Sequence, residues 1–356
     1  MLPTEKLPAA GATLDDGRAA AGETLGPARA RLPVAVMAAW AFAAVAFLVL
    51  ATVLSRLVLP LRLVLVILGL FSAYRLVAAL ARWRRPASPP TGTWLAVGWL
   101  GLVVAGAVFA GVLPLPEGLN PAATFTVPAL LNPGLHSGHL LGTDTEGLDT
   151  LTELIYGARI SLIVGIGGTL TGLIVGGIAG MVSGYFGGPV DGVTSYIVDV
   201  LLTFPPLILL IAMVAFLSPD VLNITIVLGI LALPGFARLA RANTIKIASR
   251  DYVTASRTLG SRQVRILLKV IAPNLIPSLF AYSFIIMSFL IVAEASLSFL
   301  GVGIQRPTPT WGNMIAQGDP TLNAHPALVL APAVAILFTV LSANFIGQRL
   351  QKRWGL

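Results

Sequence analysis

The chain has 356 residues, 56% of them hydrophobic and only 11% charged, against about 25% charged in an ordinary soluble domain. So few charges cannot cover a soluble surface of this size, and a disordered chain would be poor in apolar residues, so the composition calls for a bilayer. The net charge of +8, from 23 Lys and Arg against 15 Asp and Glu, leaves nucleic-acid binding open until the charges are mapped. Disulfides and thiolate chemistry are excluded because there is no Cys. None of the four Lys stands in a G-x-x-x-x-G-K-[ST] loop, so any nucleotide-driven step rests with another chain.

A transmembrane helix needs about 20 mostly apolar residues. After a polar tail, 1–31, the first uninterrupted run is Leu32–Leu54, too long for a signal-peptide core and read as an uncleaved span. Leu57–Leu80 follows, with Arg62 and Arg75 placed to snorkel. The later candidates are Trp94–Leu113, Ile160–Val182, Val193–Leu217, Val221–Ala237, Leu275–Leu300 and Ala327–Ile346. The expected fold is an all-α polytopic membrane protein of about eight transmembrane helices. Its parts are a tail (1–31), N-terminal helices (32–113), an external segment (114–157), a core (158–350) and a short C-terminus (351–356). Pro114, Pro116, Pro121, Pro128 and Pro133 argue against a long helix in the external segment.

With the N-terminus inside, nineteen of the 23 basic residues fall on the cytoplasmic side. The basic excess then marks topology, with both termini in the cytoplasm, and a nucleic-acid partner is not expected. Eight of those bases lie between Arg238 and Lys269, beside one acid, Asp251. The loop reads as two short helices. Tyr252–Leu259 is expected to start from Ser249 or Asp251 and to stop at Gly260 in a left-handed conformation. Tyr252, Ala255, Ser256 and Leu259 share one face, small at its centre, which lets a partner approach closely. Ser261 is expected to cap a second helix, Arg262–Ala272, ended by Pro273, with Val264, Leu267, Leu268 and Ile271 as its apolar stripe.

Thr254-Ala255-Ser256-x3-Gly260-x9-Val270-Ile271-Ala272-Pro273 resembles the "EAA" loop, E-A-A-x3-G-x9-I-x-L-P, of the membrane subunits of ABC importers. Thr254 stands in the Glu position and Ala272 in the Leu position. Leu141-Gly-Thr-Asp-Thr-Glu-Gly-Leu-Asp149 is similar to the G-T-D-x-x-G-R-D segment of peptide-importer permeases, with Leu148 in the Arg position. Tyr156–Leu162, Gly184–Gly188, Leu297–Gly303 and Pro307–Asn313 have counterparts in the same subfamily, the C-type permeases of dipeptide, oligopeptide and nickel ABC importers. The likeness covers roughly residues 140–350 and implies a type I importer core of five spans; it does not account for the additional N-terminal spans.

That resemblance implies four partner chains: a second permease, two ATP-binding subunits and an external substrate-binding protein. It implies a peptide substrate moved across the cytoplasmic membrane by alternating access. ATP and Mg would be bound by the partners, with no cofactor in this chain and no enzyme activity of its own. The coupling loop, 238–273, would dock on an ATPase through Asp251, Tyr252, Thr254, Ala255, Ser256, Arg257, Leu259 and Gly260. Nickel or another small solute is the alternative cargo. An ion-coupled secondary transporter would call for more intramembrane ionisable groups and repeated broken helices, and a membrane scaffold would use the same loop without transport.

Gly168, Gly172, Gly176, Gly180 and Gly184 form a ladder four residues apart, suited to close helix packing or to a surface that slides in transport. Asp199 and Glu294 are the acids expected inside spans, either lining the translocation path or hydrogen-bonded to a neighbouring helix. His136 and His139 sit in a Pro-rich loop, Asp144, Glu146 and Asp149 lack calcium-loop spacing, and no metal site is expected. No nucleophile–base pair suggests a catalytic residue.

Overall fold

Apart from one isolated bridge between Thr143 and Asp149, regular structure is helical throughout residues 91–112, 127–134 and 139–354, the parts described by this computed structural model. All of them belong to one unit, Pro89–Leu356. The tail and the expected spans Leu32–Leu54 and Leu57–Leu80 lie outside the described residues.

Helix α1 covers Thr91–Phe109 and matches the expected third span. Helix α2, Thr150–Phe186, begins earlier than expected because Asp149 caps it: its carboxylate accepts from the Thr152 backbone N–H and hydroxyl, both at 2.8 Å. Residues 150–157 of the expected external segment are therefore helical. Thirty-seven residues make α2 about 55 Å long, so both ends project beyond a hydrocarbon core of about 30 Å.

Between the expected spans Ile160–Val182 and Val193–Leu217 a single residue is non-helical. Gly187, at φ 64°, ψ −157°, breaks α2 from α3, Gly188–Thr203, in a conformation that a side chain would resist. The single span expected at Val193–Leu217 is also corrected: α3 and α4, Pro206–Phe216, meet at 92°. The cause is the Pro205-Pro206 pair. A residue before proline is driven out of the helical region, and Phe204 is extended at φ −85°, ψ 134°.

Asp220 caps α5, Val221–Ala248, through the Asn223 N–H at 2.7 Å. Helix α6 is Asp251–Thr258. Helix α7, Gln263–Ile266, passes through a π-helical stretch, Leu267–Ile271, into α8, Ala272–Phe299. Pro273 therefore does not end a separate helix. It falls in the first turn of α8, where its missing N–H costs little, and the whole stretch Gln263–Phe299 is long and apolar enough to span. Helix α9 is Trp311–Gly318 and α10 is Ala327–Arg353. Among the described residues, five helices can cross a membrane, or six if the bent α3–α4 pair counts as one span.

Helix α2 is central, packed against α1, α5, α8 and α9, while α10 closes the far side against α1, α8 and α9. The α2–α5 seam is the glycine ladder. A Cβ on Gly172 would meet the Ala232 Cβ at 2.6 Å, and a Cβ on Gly180 would meet the Ala237 carbonyl oxygen at 2.1 Å. With lipid on the outside there is little hydrophobic gain between helices, so this close backbone approach supplies the van der Waals contact that joins them. Phe236, Leu228 and Leu290 fill the apolar core beside the seam. Helices α3 and α4, by contrast, leave most of their residues exposed.

Candidate functional site

At one end of the helical core, α6 is held by a single buried side chain. Val253 is fully buried in the cluster that contains Ile266, Leu267 and Ile271. A second tie is the Arg257 guanidinium, 5.1 Å from the centroid of the Tyr185 ring at the end of α2. Neither Ser249 nor Asp251 caps the helix. Arg250 takes the cap position without a side-chain bond, and the Ser249 hydroxyl donates back to the Lys246 carbonyl. Gly260 does adopt the left-handed conformation, at φ 76°, and its N–H donates to the Arg257 carbonyl.

The rest of α6 faces outward. Asp251, Tyr252, Thr254, Ala255, Arg257, Leu259 and Gly260 are exposed, Leu259 by 85%, while Ser256 is half-buried and donates to the Tyr252 carbonyl at 2.8 Å. The helix thus has one buried side chain, Val253, and an exposed leucine just past its end. The stripe expected on the second helix divides: Leu267 and Ile271 are buried in the bundle, whereas Val264 and Leu268 are exposed.

The two intramembrane acids differ completely. Glu294 on α8 is fully buried and accepts from the hydroxyls of Ser161 on α2, at 3.0 Å, and Ser298, at 2.8 Å. It ties α2 to α8. Asp199 on α3 is exposed and pairs with Arg238 on α5 at 2.7 Å. They are not the only acids in these helices. Glu153 lies in α2, and Asp191 in α3 takes a two-point bond from Arg241, with Arg241 Nη2 to Asp191 Oδ2 at 2.6 Å, plus the Ser183 hydroxyl at 2.6 Å.

At the opposite end of α2, the 141–149 motif becomes a folded cap. Asp144 Oδ1 accepts the N–H groups of Glu146 and Leu148, each at 2.8 Å, and the loop delivers Asp149 to the helix start. Arg306 enters from the segment between α8 and α9 and bonds Asp144 at 3.1 Å, Glu146 at 3.2 Å and Glu153 at 2.8 Å. Gln317 adds bonds to Asp144 and Thr145. His139 reaches Asp149 at 3.1 Å; His136 lies outside the described residues. The 307–313 motif starts α9 with a capping box between Thr310 and Asn313, and Trp311 is buried, donating to the Leu154 carbonyl at 3.0 Å. Sequence spacing did not reveal the Arg306 and Arg241 pairs, whose partners lie up to 162 positions away.

The model of the family "binding-protein-dependent transport system inner membrane component" matches residues 172–355. A di/tripeptide transport system permease, DppC of Pseudomonas aeruginosa, is 35% identical over 70% of this chain and 83% of that protein. The glutathione transport system permease GsiD of Pectobacterium atrosepticum is 36% identical over 62% of this chain and 73% of its own length. The GsiD of an Escherichia coli strain is 37% identical over the same shares. Among solved structures, an inward-facing MetNI methionine ABC transporter chain aligns over 57% of this chain and 96% of its own, at 22% identity and a TM-score of 0.49. By its helical core and these sequence matches, the chain belongs to the binding-protein-dependent transport system inner membrane components, as a multi-pass permease subunit of an ABC importer.

Proposed function

We propose that this permease carries short peptides into the cytoplasm and is driven through α6 by a separate ATPase. The observation that carries the coupling half is the exposed α6 face ending at Leu259, on a helix anchored only by Val253 and the Arg257–Tyr185 contact. An apolar tip on a small-centred helix suits a cleft in a partner, and eight bases in the surrounding loop favour a cytoplasmic position for this end. Both chain ends would then be cytoplasmic.

The peptide half is supported by similarity to permeases named for di/tripeptide and glutathione transport. In this reading a second permease faces the exposed α3–α4 side, two ATP-binding subunits bind ATP and Mg, and an external binding protein delivers the solute. Closure of the ATPases on ATP pushes α6. The push reaches α2 through Tyr185 and α8 through the continuous Gln263–Phe299 segment, so two membrane helices move together. ATP shifts the access equilibrium only because it binds one state better than the other.

The test is uptake by the purified complex in proteoliposomes, with binding protein and dipeptide outside and ATP inside. Dipeptide accumulation that needs ATP and survives collapse of ion gradients is the expected result. Accumulation that follows an ion gradient without ATP, or none with any peptide, sinks the reading.

A further inference from the structure

Between α3 and α5 lies an open cleft of about 400 Å³, lined by Thr194, Ser195 and Asp199 on one side and by Arg238 and Arg241 on the other. That volume falls in the usual range for a small-molecule site. Its two ion pairs are built differently. Asp191–Arg241 is a two-point bond reinforced by Ser183, a fixed wall. Asp199–Arg238 is a one-point bond between side chains that are 65% and 60% exposed. An exposed pair of this kind contributes roughly 0–1 kcal/mol, so its members exchange partners at little cost. Both groups are open to solvent, and the bond between them uses one oxygen of Asp199 and one nitrogen of Arg238.

The chain is also broken beside this cleft. Asp199 is five residues before Phe204, where α3 turns by 92° into α4. Backbone freed from helical bonding at membrane depth is tolerated where it is buried in protein or lines a water-filled cavity. The break at Phe204 and Pro205 is exposed on this chain, just past the helix that carries the exposed Asp199. A carboxylate that takes an ammonium and a guanidinium fork that takes a carboxylate stand side by side in one hydrated cleft.

We propose that this cleft is a subsite for a small zwitterion, with Asp199 holding the ammonium and Arg238 the carboxylate of a free peptide as it passes between the spans. The inference rests on the peptide reading above and adds to it the two end groups and the residues that take them. A zwitterionic lipid headgroup has the same chemistry, so the experiment separates the two sources.

The intact importer is reconstituted in phosphatidylglycerol vesicles, which carry no zwitterionic headgroup, with and without phosphatidylethanolamine, and supplied with labelled dialanine. Wild-type uptake comes first, and its absence overturns the peptide reading. Given wild-type uptake, Asp199→Asn and Arg238→Gln are each expected to lower the solute moved per ATP hydrolysed about tenfold, the effect of losing one charged hydrogen bond. The double variant is expected to be no better than the worse single one, and Asp199→Glu to retain most of the function. Unchanged coupling in the single variants, or wild-type coupling restored in the double, makes the pair structural only and overturns the inference. Because the chain has no Cys, Thr194→Cys gives this subunit a unique thiol. Dialanine is expected to slow its reaction with a water-soluble maleimide, and N-acetyl-dialanine amide, blocked at both ends, is not. Protection that depends on phosphatidylethanolamine rather than peptide, or a thiol covered in every nucleotide state, overturns the proposal.

Discussion

The two ends of α2 are made to opposite rules. At its start, Asp144 and Glu153 are buried, and Arg306, Gln317 and the backbone of the 141–149 loop satisfy them. One guanidinium, Arg306, bonds three carboxylates there, Asp144, Glu146 and Glu153, within the chain. At its end, Tyr185 touches an exposed helix whose only buried side chain is Val253. The first arrangement closes on itself and ties the 141–149 loop and α2 to the α8–α9 connection. The second leaves an exposed face, which in the proposed function an ATPase completes. Force transmission in that reading needs both: a stiff body, and a lever that is loose until its partner grips it.

Four substitutions probe that contrast, from the largest expected effect down. Gly180→Val drives a side chain into the Ala237 carbonyl in the stiff body. A backbone clash of this kind costs about 3 kcal/mol or more, and the expected outcome is loss of the assembled complex from membranes, read by size exclusion. Normal assembly would show that the seam opens easily. Next, Arg306→Ala strands the buried carboxylates of Asp144 and Glu153 at a cost of about 3 kcal/mol, seen as a lowered unfolding temperature. Adding Glu153→Gln is expected to recover part of it.

Gly260→Val acts on the lever. A β-branched residue resists the left-handed conformation by about 1–2 kcal/mol, so α6 ends differently and the ATPase contact loosens, checked by co-purification. If the variant keeps its ATPases and transports like wild type, α6 is not the coupling helix. Leu259→Ser is the mildest for the fold. An exposed side chain changes stability by about 0.5 kcal/mol or less, yet ATPase affinity is expected to fall. Unchanged affinity would place the dock elsewhere.

Much of this architecture can be read from local sequence. Long apolar runs located five spans among the described residues, Gly260 announced its left-handed turn, and the ladder Gly168, Gly172, Gly176, Gly180 and Gly184 announced a close seam, because each depends on residue type and period alone. The misjudged boundaries have local causes too. Pro205-Pro206 outweighed an otherwise apolar run and bent it, while Pro273, suited to a helix start as much as to a stop, lies inside a continuous segment.

Composition and charge placement by themselves settled that the chain lives in a membrane, because apolar area and charge need no partner to be counted. The spacing of the loop motif pointed to α6 as the expected docking element, and the structure shows that helix exposed. Only the tertiary structure decided that Glu294 is enclosed by serines while Asp199 opens onto a cleft, and that Arg306 answers Asp144 and Glu153 from across the chain. A charge takes its meaning from its dielectric surroundings and its nearest opposite charge, and residues 39 to 162 positions away supply both.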